Sequence, residues 1–166
     1  MRPRGAQCTT KPLYFLERGT PVPRLPPEPF VVTTPPSPLY LVDGYNVLHA
    51  VVLAGRARAR FWSVENQLAV AQLAARFTGG EARVVFDASR PERQLLNTDE
   101  APVPCEYAPS ADERIVQIAK ELQHQRPVVV VSADRQLCDL ARNFGATRLS
   151  PWQFAAACGV PPRVRP

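Results

Sequence analysis

The sequence has few of the features that mark membrane, secreted or zinc-binding proteins. No apolar run in its 166 residues approaches the ~20 that a membrane-spanning helix needs, and the N-terminal Arg2 and Arg4 are not followed by the apolar segment of a secretory signal. The four cysteines are widely separated and only two histidines accompany them, so the clustered ligands of a zinc site are missing. These absences disfavour a membrane or secreted protein and predict reduced thiols in a cytoplasmic one.

Lysine is also scarce, because eighteen of the twenty basic residues are arginines. The planar guanidinium of arginine suits phosphate recognition, although a codon bias of the source genome is the favoured explanation of this composition. The formal net charge is +5, a mild basic excess. It permits a nucleic-acid partner without requiring one.

Proline is abundant but unevenly placed. Ten of the nineteen prolines lie in the first 38 residues, where helices and central strands cannot propagate. We therefore predict an extended or disordered arm over residues 1–38, a folded domain over 39–160 and a short basic tail over 161–166.

From Leu39 onward, strand-like and helical patterns alternate. The strand-like runs are 39–42, 82–86, a weaker one at 103–107, 128–131 and a short one at 146–149. The helical segments are about 61–77, 110–122, 135–143 and 151–158. This alternation predicts a three-layer α/β/α fold around a mainly parallel sheet, in which ligands bind beyond the carboxyl ends of the strands.

Aspartates follow three of these strands. Asp43, Asp87 and Asp134 each end a strand-like run, and Asp112 stands in the first turn of a helix. Any one alone is typical of a turn or a helix cap, but parallel strands bring the first three to one edge of the sheet. Two like charges 4 Å apart repel by about 4 kcal/mol at an effective dielectric near 20, so such a group requires a cation or a shifted pKa. Oxygen ligands alone indicate Mg²⁺ or Mn²⁺, and hence phosphodiester hydrolysis by a metal-activated water.

The first of these aspartates begins the motif Asp43-Gly44-Tyr45-Asn46. Gly44 permits a tight turn after the strand, and Asn46 supplies an amide able to hold a carboxylate or a phosphate. From Leu39 to about Ala157 the sequence resembles the NYN domains of the PIN-like nuclease superfamily, specifically the YacP-like bacterial group. The matching positions are Asp43–Asn46, Glu65, Val84–Asp87, Ser110–Asp112, Val131–Arg135, Leu140–Ala146 and Leu149–Ser150.

The resemblance implies a PIN-like α/β/α fold and a metal-dependent ribonuclease, in some relatives an endonuclease that acts on mRNA at the ribosome. Its implied cofactor is Mg²⁺ or Mn²⁺, and its implied partners are mRNA or another single-stranded RNA and the ribosome. The residues that it implicates are Asp43, Asp87, Asp112 and Asp134 in catalysis and metal binding, Asn46 in catalysis and substrate binding, and Ser132 in substrate binding. Glu65 is either an outer residue of this site or a solvated residue of its helix.

Other residues near the motif have two interpretations. Arg56, Arg58 and Arg60 are either a phosphate-binding edge beside the acidic cleft or part of a flexible connector. Trp62 and Trp152 are able to stack on bases, but their apolar helical patterns are more typical of core residues.

Two other function classes compete with a ribonuclease. One is a non-catalytic RNA- or ribosome-binding module with the same fold. Retention of all four aspartates favours catalysis over this alternative, because a mere binder of a polyanion gains nothing from a negative pocket. The other is a nucleotide-binding Rossmann-like domain, which is disfavoured because no G-x-G-x-x-G follows the first strand.

Overall fold

A computed structural model describes residues 35–54 and 61–161 of the chain. Most of the predicted arm and of the predicted basic tail, together with Arg56, Arg58 and Arg60, lies outside the described residues. The limits given above for the arm, the domain and the tail stay predictions.

The described residues contain one five-stranded parallel sheet with the strand order β3-β2-β1-β4-β5. Its strands are β1 (Leu39–Asp43), β2 (Glu81–Asp87), β3 (Cys105–Ala108), β4 (Val128–Val131) and β5 (Thr147–Leu149). Buried β-branched and aromatic side chains dominate β2 and β4, as expected for strands covered on both faces. The predicted α/β fold with a mainly parallel sheet is confirmed.

Helices cover both faces of the sheet. They are α1 (Gly44–Val47), which runs into a π-helical turn (Leu48–Val52), α2 (Val64–Ala75), α3 (Ala111–Leu122), α4 (Arg135–Arg142) and α5 (Pro151–Ala157). Side chains such as Val70 of α2 and Phe154 of α5 form one core on Val42 and Phe86. A second core, on the opposite face, packs α3 and α4 against Leu41, Val85 and Val130.

Strand alternation decides which face carries the aspartates. Leu41 of β1 and Val85 of β2 pack beneath α3 and α4, and Asp43 and Asp87 follow them by two residues. Because the strand period is two, both aspartates point to the α3 and α4 side. Strand order reverses between β1 and β4, so Asp43 also lies at the switch point where α/β sheets bind their ligands.

The structure differs from the sequence prediction in three places. The α1 helix and the π-helical turn were not predicted, because nine residues are too few for a helical period to stand out. Two short 3₁₀ turns, Pro91–Arg93 and Thr98–Glu100, interrupt the loop after β2. Trp62 precedes α2 and is half-buried, and Trp152 is 38% exposed, so the prediction that both are core residues was wrong.

Among the residues described, no helix has the length and apolar character that crossing a membrane requires.

Candidate active site

Asp43 is the most buried charged residue among those that the structure describes. Its side chain is 8% exposed at the carboxyl end of β1, where it caps α1. Oδ1 accepts a hydrogen bond from the backbone N–H of Asn46 at 3.1 Å, and Oδ2 accepts one from the Ser132 hydroxyl at 3.1 Å. Both carboxylate oxygens are therefore held in place before any ligand arrives.

Two segments are joined at this point. We call them the DGYN loop, which is the end of β1 with the first turn of α1 (Asp43–Asn46), and the SAD loop after β4 (Ser132–Asp134). The Asn46 side-chain oxygen accepts from the Ala133 N–H at 2.8 Å. The Ser132 hydroxyl, fully buried, donates to Asp43 and accepts from the Asp134 N–H at 3.0 Å. Asn46 and Ser132 thus fix the relative position of two carboxylate-bearing loops.

Asp134 and Asp112 lie at the N-terminal ends of α4 and α3. Asp134 caps α4, where its Oδ1 accepts from the N–H groups of Gln136 at 2.7 Å and Leu137 at 3.1 Å. Asp112 stands in the first turn of α3 and is exposed. Negative charge at these helix ends is favoured by the helix dipole, which offsets part of the mutual repulsion.

Electrostatics shows that the four aspartates share one region, which we call the acidic cluster (Asp43, Asp87, Asp112 and Asp134). Burial raises the pKa of Asp43 to about 6 against the lowering effect of its two hydrogen bonds, and the charges of Asp112 and Asp134 add to the rise. Partial desolvation raises the pKa of Asp112, and the charges of Asp134 and then Asp87 raise it further. Asp87, at the end of β2, accepts only a long 3.4 Å bond from the Ser89 N–H.

The chemistry of the acidic cluster fits a hard divalent cation, because every donor is a carboxylate oxygen and a bound cation relieves the repulsion that adds to the effect of burial on the pKa values of Asp43 and Asp112. In the described part of the chain, however, no three acidic, histidine or cysteine side chains stand close enough together to hold an ion as they are. The fold brings the four carboxylates into one region, but no three of them surround a common position for an ion.

Gly44 is required for a different reason from the one the sequence suggests. It begins α1, and a Cβ built on it would lie 2.4 Å from Cδ1 of Phe86, a core residue that is fully buried. Close packing of α1 on β2 therefore explains the glycine of the DGYN loop.

Glu65 lies in the first turn of α2 and is exposed. Its pKa is lowered by its own backbone N–H and by the Ser63 side chain. These are the contacts of an exposed carboxylate in the first turn of a helix, and they favour the solvated interpretation over a place in the site.

Gln67, a fully buried residue of α2, was not predicted from the sequence. Its Nε2 donates to the Tyr45 hydroxyl at 2.9 Å and to the Arg93 carbonyl at 2.7 Å. Its Oε1 accepts from the Leu96 N–H at 3.1 Å and from the Tyr107 hydroxyl at 2.6 Å. Gln67 therefore ties the loop after β2 (88–104) to the tyrosine of the DGYN loop.

The pKa of Asp43 predicts a pH-dependent stability in metal-free buffer. Its folded value of about 6 lies above the unfolded value of 3.8, so folding favours the protonated form. The cost of ionising Asp43 is absent below pH 3.8 and fully present above pH 6, which amounts to roughly 3 kcal/mol for a shift of this size. Asp43→Asn removes this cost. We expect its free energy of unfolding to rise relative to wild type by that amount between pH 4 and 7.

Denaturant titrations of both proteins in EDTA at several pH values measure this difference. Comparing the two proteins cancels the carboxylates outside the acidic cluster, which titrate alike in both. A difference that does not change with pH would mean that Asp43 is ionised without penalty.

The family model of the YacP-like NYN domain matches residues 40–159. Among solved structures, the chain is similar to Rae1 (YacP) from Bacillus subtilis, with 26% identity and a TM-score of 0.57 over 73% of each chain. It is also similar to a tryptophan-to-leucine mutant of that protein, with 26% identity and a TM-score of 0.58 over 73% of this chain and 74% of the other. No curated protein gives a significant match. The matched range includes the whole acidic cluster.

Proposed function

The chain belongs to the YacP-like NYN domain family, a family of PIN-like ribonuclease type, and from this membership we propose that it is a metal-dependent endoribonuclease that hydrolyses phosphodiester bonds in RNA. The observation that carries the proposal is the buried Asp43 carboxylate at the switch point of the sheet, with Asp112 and Asp134 in electrostatic range. A domain that only binds a polyanion has no use for such a charge. A hydrolase that works through a cation does.

The residues that would hold Mg²⁺ or Mn²⁺ are Asp43, Asp87, Asp112 and Asp134. When bound, such an ion polarises a phosphoryl oxygen and lowers the pKa of a water that serves as the nucleophile. Burial raises the pKa of Asp43 to about 6, so its carboxylate form predominates at neutral pH, the form that takes up a cation.

The polar neighbours of the acidic cluster have separate tasks. The Ser132 hydroxyl donates to one oxygen of Asp43 and so fixes the orientation of that carboxylate. The Asn46 oxygen is occupied by the Ala133 N–H, which leaves the Nδ2 group to donate to a phosphate oxygen of the substrate. Ser132 thus acts on the carboxylate and Asn46 on the RNA.

The proposed substrate is single-stranded RNA, including mRNA, and the proposed location is the cytoplasm, with the ribosome as a further partner. The three described cysteines are unpaired, as expected in a reducing compartment.

A non-catalytic RNA- or ribosome-binding module is the second candidate. It is favoured by the absence, in the described residues, of three carboxylates closed around one point.

A cleavage assay on circular and linear single-stranded RNA tests the proposal. We expect both RNAs to be cut with Mn²⁺ or Mg²⁺ and neither to be cut in EDTA. The circular RNA is included because it has no end from which an exonuclease could start. Cleavage of the linear RNA alone would contradict the endonuclease assignment. Binding without cleavage under every ion would support the second candidate.

A further inference from the structure

Arg93 is a half-buried arginine that pairs with no carboxylate of residues 35–54 or 61–161. It ends the first 3₁₀ turn after β2, and its guanidinium lies over the Trp62 ring, 5.8 Å from the centroid. Within the described ranges, that guanidinium makes no ion pair or hydrogen bond. Arg114 and Arg126, by contrast, each contact a glutamate at 2.7 and 2.6 Å.

Arg93 is fixed next to the DGYN loop. Nε2 of Gln67 donates to both the Arg93 carbonyl and the Tyr45 hydroxyl, so these two oxygens accept hydrogen bonds from the same amide group. The Tyr45 ring contacts Phe61, with 5.3 Å between centroids, and Phe61 contacts Trp62 at 4.9 Å. Trp62 and Arg93 thus belong to one packed unit with the residue that follows Gly44.

The same tyrosine connects Arg93 with the acidic cluster. Its phenol lies within electrostatic range of both Arg93 and Asp87, which act on it with opposite signs. Arg93 is therefore a positive charge at the border of a region that otherwise repels RNA.

We propose that Arg93 binds a phosphate of the RNA strand beside the acidic cluster and that Trp62 positions its guanidinium for this contact. A cation–π contact with the indole ring uses none of the five N–H donors of the guanidinium, so these stay available to phosphate oxygens. The inference rests on the proposed function, since it assumes that RNA is the substrate. It assigns to a described arginine the phosphate-binding role that is one of the two interpretations of Arg56, Arg58 and Arg60.

Binding of a fluorescent oligouridylate, measured by anisotropy over a range of salt concentrations, tests the proposal. The titration is done in EDTA and again in Ca²⁺. One phosphate contact on a single strand contributes about 0.7 to the salt slope, so Arg93→Gln is expected to lower the slope by about 0.7 and the affinity about fivefold at 0.1 M salt. Arg90→Gln is the matched control. It removes the same charge from the same loop, at an exposed arginine that lies 4.0 Å from Glu92. We expect it to change neither quantity.

Variants of Trp62 test whether its ring positions the Arg93 guanidinium, while the charge of Arg93 itself is left in place. Trp62→Leu is expected to weaken binding while the salt slope stays near that of wild type, because the arginine is still present. Trp62→Phe, which keeps an aromatic face, is expected to restore most of the affinity. A loss of slope in Trp62→Leu, or no change in its affinity, would overturn the positioning role.

The outcomes distinguish this inference from the proposed function. If wild type binds and cleaves RNA and Arg93→Gln behaves like Arg90→Gln, the Arg93 inference fails alone. If wild type binds RNA through Arg93 but never cleaves it, the catalytic proposal fails and the Arg93 contact stands. If wild type binds no RNA in either buffer, both are wrong.

Discussion

Asp134→Asn is expected to reduce RNA cleavage by roughly two to three orders of magnitude without unfolding the protein, as removal of one electrostatic catalytic group typically does. Asparagine caps helices as well as aspartate, and its oxygen still accepts from the N–H groups of Gln136 and Leu137. The loss therefore reports the missing charge rather than a damaged helix. Cleavage rates in Mn²⁺, with circular dichroism as the check on folding, measure it.

The same variant is expected to lose most of its stabilisation by metal. An ion that binds only the folded state raises the free energy of unfolding by about 2.7 kcal/mol at one hundred times its Kd. Wild type should show a corresponding rise in Tm with Mg²⁺ or Mn²⁺, and Asp134→Asn a smaller one.

Asp139→Asn is the control for both measurements. It makes the same change on α4 at an exposed aspartate paired with Arg142. Equal metal responses in the two variants, or undiminished cleavage by Asp134→Asn, would show that Asp134 is only a helix cap.

Gln67→Met is expected to destabilise the fold by about 3 kcal/mol or more and to weaken RNA binding. Methionine fills a similar volume but removes the donor to the Arg93 carbonyl and the acceptor of the short bond from the Tyr107 hydroxyl, and each unsatisfied buried group costs about 1–3 kcal/mol. The Leu96 N–H keeps the Tyr107 oxygen as an acceptor at 2.8 Å. The loop after β2 then loses its attachment to α2, and Arg93 loses its fixed position. Urea unfolding and the oligouridylate titration measure the two effects.

Gln72→Met is the matched control, since Gln72 is an exposed residue of the same helix. We expect a change of less than about 0.5 kcal/mol in its free energy of unfolding. If Gln67→Met unfolds at the same urea concentration as wild type, the four hydrogen bonds of Gln67 contribute nothing net to the fold.

The sheet and its helices were predictable because their signals are local. Val128–Val131 contains four β-branched residues without polar alternation, and the structure places it as β4 beside β1. The positions of Asp43 and Asp87 at strand ends, and of Asp134 three residues after β4, were predictable for the same reason. Parallel strands bring such residues to one edge whatever the loops between them do.

The region around Gln67 was not predictable in this way, because its contacts join parts of the chain 22 to 40 residues apart. One signal was present. Gln67, Val70, Ala71 and Ala74 fall at helical spacing on the buried stripe of α2, and a glutamine in such a stripe requires polar partners. Nothing local, however, identifies Tyr107 or the Arg93 carbonyl as those partners.

The bond between Ser132 and Asp43 crosses 89 residues of sequence, and so does the adjacent pairing of β1 with β4. Contacts of such long range form late in folding, because a large loop must close before they contribute any stability. On a chain growing from its N-terminus, β1 can pair with β2 long before β4 has been synthesised. The DGYN loop then has no Ser132 or Ala133 to hold it, and Asp43 is not yet enclosed. The candidate site is therefore completed only when the last third of the chain joins the sheet, so a partly made chain carries the motif without the hydrogen bonds that orient it.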